Sequence, residues 1–172
     1  MKKKIKISFL LDKKNDWIKK YLNTFLNKKN KNFSCKIVNN YKKVKKQNIV
    51  FILNYTKILP KSFLIKNSLN LVVHASDLPK GKGFAPIQWQ ILESKNKIPI
   101  CLIEADKKFD SGAIIEKKYF YLKGDELNSE IRDIQAKETI KIISKFLKKF
   151  PKFTRKSQKG KSTFYKRRYA KD

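Results

Sequence analysis

This chain has one imidazole, and its surroundings suggest chemistry. His74 closes an apolar run and opens the segment His74-Ala75-Ser76-Asp77-Leu78-Pro79-Lys80-Gly81-Lys82-Gly83; Asp110-Ser111-Gly112 follows 36 residues after the histidine. A histidine and an aspartate at neighbouring strand ends can work as an acid–base pair. Loops outside the carboxyl ends of strands are also where open α/β sheets hold ligands. Gly81 and Gly83 allow close backbone approach to a ligand, while Pro79 and Pro86 stiffen the loop. The plainer account of a lone histidine is a hydrogen-bonded structural residue; the glycines and the second carboxylate favour the acid–base reading. Asp77 reads as a loop cap only.

Other chemistries lack their motifs. A dinucleotide site would place G-x-G-x-x-G after the first strand, and Leu10-Leu11-Asp12-Lys13-Lys14-Asn15-Asp16 contains no glycine. P-loop, H-E-x-x-H and G-x-S-x-G patterns are absent, so covalent catalysis is not indicated. Cys35 and Cys101 lie in apparent strands without C-x-x-C spacing, which argues against zinc and for reduced, buried thiols.

The elements that must position His74 and Asp110 alternate. Residues 4–11 alternate into an apolar finish and predict a strand; residues 16–26, with Trp17, Ile18, Tyr21, Leu22 and Phe25 at helical spacing, predict a helix. Further strands are expected at 33–38, 48–53, 69–74, 98–104 and 113–121. Residues 60–66 and 86–93 read as short helices, and 126–150 as a long amphipathic one ended by Pro151. The continuous apolar run of 69–74 suggests burial on both faces, as in a parallel sheet. The expected fold is α/β, an open twisted, mostly parallel sheet with helices on both faces. The expected domain spans 1–151, followed by a basic, aromatic extension over 152–172 without clear period.

Length and composition set the frame. At 172 residues and 41% hydrophobic the chain supports a substantial core. No apolar stretch reaches the roughly 18 to 20 residues of a membrane span, and no signal-peptide cleavage site follows the lysine-rich start; the expectation is a cytoplasmic protein that does not engage membrane. The net charge of +29 invites a nucleic-acid reading. Yet only Arg132, Arg155, Arg167 and Arg168 among the 43 basic residues are arginine, the fork preferred for phosphates and base edges. The lysine excess, beside abundant Asn and Ile, reads instead as the imprint of an AT-rich genome and argues against a nucleic-acid partner. It can still steer an anionic substrate to its cleft.

The stretch Val73-His74-Ala75-Ser76-Asp77-Leu78-Pro79-Lys80-Gly81-Lys82-Gly83-Phe84-Ala85-Pro86-Ile87-Gln88-Trp89, with Asp110-Ser111-Gly112 at the matching separation, resembles the signature of 10-formyltetrahydrofolate-dependent formyltransferases. The resemblance covers most of the chain and implies the family's Rossmann-like α/β fold. It implies that His74 and Asp110 are catalytic, His74 stabilising the oxyanion of a tetrahedral intermediate and moving protons, Asp110 orienting it and, through water, helping to deprotonate the amine. It implies folate contacts from Asn54, Tyr55, Thr56, Lys57, Ile58, Ala105 and Asp110. Acceptor contacts would come from Lys80, Gly81, Lys82, Gly83, Phe84 and Trp89. No metal is implied. One departure stands out: the family's asparagine two residues before the histidine donates to the formyl oxygen, and here Val72 cannot. Asn70, Asn54 and Gln88 are the candidate replacement donors.

The acceptor is read by elimination within the resemblance. Methionyl-tRNA formyltransferases carry an added C-terminal barrel for which 172 residues leave no room, and glycinamide ribonucleotide formyltransferases have a glycine-rich first loop missing here. The loop and the tail Gln158-Lys159-Gly160-Lys161-Ser162-Thr163-Phe164-Tyr165-Lys166-Arg167-Arg168 look most like the branch acting on nucleotide-linked amino sugars, of the 4-amino-4,6-dideoxy type in pseudaminic-acid-like pathways. The expected partners are folate and such a sugar, with a homodimer as a further option. In that branch Arg167 and Arg168 would meet the diphosphate. The alternatives are methionyl-tRNA or glycinamide ribonucleotide formylation, a formyl-folate hydrolase, or an impaired homologue serving as a basic RNA-binding module.

Overall fold

The computed structural model describes residues 4–27 and 31–167, apart from the side chains of 14–16. The chain forms two compact units, Met1–Val73 and His74–Asp172, a division that the sequence pattern did not announce.

The first unit is a four-stranded parallel sheet. Strands β1 (Ile5–Leu11), β2 (Phe33–Val38), β3 (Ile49–Leu53) and β4 (Leu69–His74) lie in the order β2-β1-β3-β4. All five side chains of β3 are buried, as are the last five of β1, where Ser8 is the one polar residue; a strand covered on both faces needs such largely apolar runs. Phe9 stacks on Phe51 across the β1–β3 pair, with ring centroids 5.3 Å apart. The helix expected over 16–26 begins instead as a 3₁₀ turn, Lys13–Ile18, which passes into α1 (Lys19–Asn27); tight 3₁₀ starts are frequent at helix N-termini. Helix α2 (Lys61–Lys66) follows Pro60 and leads into β4, whose last residue is His74.

The second unit holds β5 (Lys82–Gly83), α3 (Pro86–Leu92), β6 (Lys97–Glu104), β7 (Ile114–Tyr121), α4 (Asn128–Lys149) and β8 (Phe164–Tyr165). β6 and β7 form an antiparallel hairpin with a register shift between Leu102 and Ile103, just before the loop that carries Asp110. Glu130 Oε2 accepts from the Leu127 N–H at the start of α4, satisfying a donor no helical carbonyl can reach. Two lysines of α4, Lys145 and Lys149, pair with Glu116 of β7. Burial opposes ionisation of this carboxyl, but the two lysines outweigh it and hold it below the usual carboxylate range. The sequence suggested no period beyond 152. The structure nonetheless places a parallel ladder there, β5 with β8, a pairing across some eighty residues.

Candidate active site

His74 ends β4 where the apolar run Leu71 to Val73 stops, and the chain turns through a cis Leu78–Pro79 bond towards Gly81. The ring is buried, 7% exposed. Its Nε2 lies 2.9 Å from the Gly81 carbonyl oxygen, and its Nδ1 faces Asp110 Oδ1 at 3.6 Å. A carbonyl can only accept, so the Gly81 contact puts a proton on Nε2. Both neighbours are acceptors; the imidazolium formed when the ring takes up a second proton donates to one and pairs with the other.

Asp110 is fixed from several sides. Its backbone adopts φ +48°, a left-handed conformation that aspartate tolerates better than most residues. Oδ2 accepts from the Gly83 N–H at 2.9 Å, leaving Oδ1 towards the imidazole. Next to it, a Cβ on Gly112 would sit 1.8 Å from the Glu104 carbonyl oxygen, so only glycine lets the loop close against β6. The two residues singled out from sequence thus stand side by side, each held by backbone of the Gly81–Gly83 segment.

The remaining expected site residues are distributed as follows. In the first unit, Asn54 leaves β3 with φ +49°, and Thr56, Lys57 and Ile58 are exposed beyond it. Thr56 hydrogen-bonds to the Asp12 carboxylate, and the Tyr55 hydroxyl accepts from the Tyr41 N–H at 3.4 Å. Asn70 is committed elsewhere, its amide donating to Leu64 O and its oxygen accepting from Asn67. In the second unit Ala105 is half-buried after β6, Lys80 is exposed and Gln88 is exposed on α3, whereas Lys82 is buried. The Trp89 indole N–H donates to the Lys166 carbonyl at 2.9 Å and its ring stacks on Tyr165 at 5.7 Å. Phe84 lies under the Arg167 guanidinium at 4.8 Å. Arg168 lies outside the described residues. Asp77, besides accepting from the Lys80 N–H in its turn, pairs with Lys117.

Sequence reasoning missed the tail as a brace. Gln158 Nε2 donates to the carbonyls of Asp110 and Gly112 at 2.8 and 2.9 Å, clamping the aspartate loop. Thr163 Oγ1 accepts from the N–H of Gly81, the residue whose carbonyl meets His74, while Thr163 O and Tyr165 O accept from Lys82 and Phe84. Gly81 and Gly83, read from sequence as room for a ligand, make room for Tyr165. Added Cβ atoms would lie 2.6 Å from its ring and 2.5 Å from its carbonyl oxygen. Burial, reinforced by the hydrogen bond that Tyr165 OH donates to the Glu93 carboxylate, pushes the phenol up to about 12. Gln90, also missed, ties the other side of the loop by donating to Ala75 O. The signal available was the concentration of Gln, Ser, Thr and Tyr in a segment of no period.

The arrangement suits general acid–base chemistry: a ring that can carry a proton, beside a carboxylate, in a loop braced on both sides. Comparison with known proteins agrees on the family. The formyl transferase family model matches residues 2–147. The methionyl-tRNA formyltransferase of Campylobacter jejuni is 38% identical over 128 residues, which are 73% of this chain and 41% of that protein; the chain thus spans about two fifths of that relative. Among solved structures, a methionyl-tRNA formyltransferase from Clostridium thermocellum superposes with a TM-score of 0.80 at 24% identity, covering 97% of this chain and 74% of that one. The formyltransferase PseJ from Anoxybacillus kamchatkensis, in complex with UDP-4,6-dideoxy-4-formamido-L-AltNAc and tetrahydrofolate, superposes at 0.60 and 19% identity, covering 92% of this chain and 85% of that one. The fold is the Rossmann-like α/β fold of these enzymes.

Proposed function

The chain belongs to the formyl transferase family, and from that premise we propose that it transfers a formyl group from 10-formyltetrahydrofolate to the amine of a nucleotide-linked amino sugar. The observation that carries the transfer is His74 held between the Gly81 carbonyl and the Asp110 carboxylate. The acceptor amine attacks the formyl carbon, forming a C–N bond and an oxyanion; collapse expels N10 of the folate, which takes a proton. In this reading His74 stabilises the oxyanion and relays the proton, and Asp110 orients the ring and, through water, receives the proton the amine loses.

Residues 54–58 and Ala105, with Asp110, are the proposed folate contacts. The exposed backbone after the Asn54 turn suits a flat heteroaromatic ring that displays donors and acceptors along its edge. Val72 supplies no donor to the formyl oxygen, and the commitments of Asn70 remove one replacement. Of the other two candidates, Gln88 is exposed on α3 and Asn54 already has an interaction of its own, and restoring the asparagine is the direct check. If the site is short of one donor, Val72→Asn raises kcat, by up to about a hundredfold; an unchanged rate means another group already donates.

A second reading, formylation of methionyl-tRNA, is favoured by the sequence relatives. The test uses 10-formyltetrahydrofolate with a UDP-linked 4-amino-4,6-dideoxy sugar, methionyl-tRNA or water alone. Turnover that requires the sugar supports the proposal. Turnover only with the tRNA replaces it with the second reading, and folate consumption without either acceptor identifies a hydrolase.

A further inference from the structure

Lys82, one of the acceptor contacts that the resemblance implies, takes no part in the acid–base steps proposed above, and its position is unusual for a cation. It is 6% exposed. Its Nζ donates to Ser111 Oγ at 3.1 Å and lies 5.9 Å from the Phe164 ring centroid. Among the described residues no carboxylate lies within ion-pair distance of it. Removing an ammonium from water without a counter-charge is costly, and one hydroxyl returns only part of its hydration. The charge is kept there by β5, whose pairing with β8 fixes the Lys82 backbone.

The ammonium borders a cavity of about 620 Å³ whose other cations are Lys107 and Lys108. The Ser111 and Ser162 hydroxyls line the same space, and Phe109 and Phe164, 55% and 65% exposed, flank it. The combination has three parts with one sense: a buried positive charge lacking its partner, further positive charges at the rim, and aromatic faces beside them. We propose that this cavity binds the diphosphate of a nucleoside-diphosphate acceptor, with the phosphoryl oxygens on Lys82 and a base or sugar against a phenylalanine.

The volume is ample for a single phosphate and within the general range of small-molecule clefts. An RNA strand would be met by the lysines spread over the surface; a buried ammonium is reached by a group that can enter the cavity. The proposal rests on the acceptor reading given above and adds the residues that would recognise it.

Calorimetric titration of the full chain with inorganic pyrophosphate, UDP, uridine and a short single-stranded RNA tests it, with tetrahydrofolate as a probe of fold integrity. Pyrophosphate and UDP are expected to bind saturably and uridine far more weakly. Lys82→Met should weaken UDP about thirtyfold, Lys82→Arg only a few-fold, with folate affinity kept in both. If Lys82→Met fails to fold, the exposed pair Lys107→Gln and Lys108→Gln serves, with about a tenfold loss expected. Wild-type UDP affinity in these variants, or binding of RNA but not UDP, overturns the proposal. Saturable UDP binding without formylation of any UDP-linked amine leaves the site standing and removes the acceptor reading. Formylation of such a sugar by Lys82→Met at unchanged KM does the reverse.

Discussion

Two segments of the second unit meet along β5 and β8, and they do different work. Residues 74–83 carry the imidazole and the backbone groups that touch it. Residues 155–167 contribute no group to the His74–Asp110 pair, yet they hold Gly81 through Thr163 and the Asp110 loop through Gln158. The first segment is defined by side-chain chemistry and the second by complementarity to backbone. Replacing the imidazole of the first should therefore abolish the reaction with the fold intact, whereas a substitution along the seam or in the second should loosen geometry and lower the rate by degrees.

The largest effect is expected at the pair itself. His74→Ala and Asp110→Ala should each lower formyl transfer by about a thousandfold or more while leaving the circular dichroism spectrum close to that of the parent, and His74→Ala should also keep folate affinity. A surviving rate within about tenfold would return His74 to a structural role. Next comes the seam. Gly83→Ala places a methyl 2.5 Å from the Tyr165 carbonyl oxygen at a residue with φ +99°, so we expect a loss of about 1–3 kcal/mol in denaturant unfolding and a rate lowered with it. The same substitution at Gly124, where φ is +109° but nothing lies within 4 Å, separates backbone strain from the clash.

Gln158→Leu sharpens the comparison further. It leaves two carbonyls of the Asp110 loop without their donor, at a cost of about 1–3 kcal/mol. The expected signature of a positioning residue is kcat reduced about tenfold with KM for folate nearly unchanged. A fall in stability with kcat unaltered would make the tail a structural brace alone.

The smallest effect is a pH dependence of the Tyr165 latch. The folded state holds this phenol at about 12 against its ordinary value of 10, so the unfolded chain loses the proton first. The stabilisation is complete below pH 10 and is lost as pH rises towards 12. In a Trp17→Phe background, Trp89 emission, quenched or shifted by its stack on Tyr165, should change over that window. Tyr165→Phe should remove the change.

The residues proposed to carry chemistry were legible in the chain because type and spacing are local properties. His74 at the end of an apolar run, two glycines in the loop and Asp110-Ser111-Gly112 at matching separation could be found without a fold. Most strands and helices were legible for the same reason, since the burial of β3 is written as a continuous apolar run and that of β1 as one interrupted only by Ser8. The tail was not: a two-residue strand has no period to detect, and its partner lies some eighty residues away.

The sequence by itself determined the α/β character, the residues proposed as the acid–base pair and the family. Tertiary structure alone decided who restrains that pair, what fills the space over Gly81 and Gly83, and that Lys82, one lysine among 39, is buried beside a cavity. The physical reason is range. Propensity and periodicity act over a few residues, whereas hydrogen bonds to backbone, the absence of a Cβ and the desolvation of a charge depend on whatever distant chain arrives at the same place.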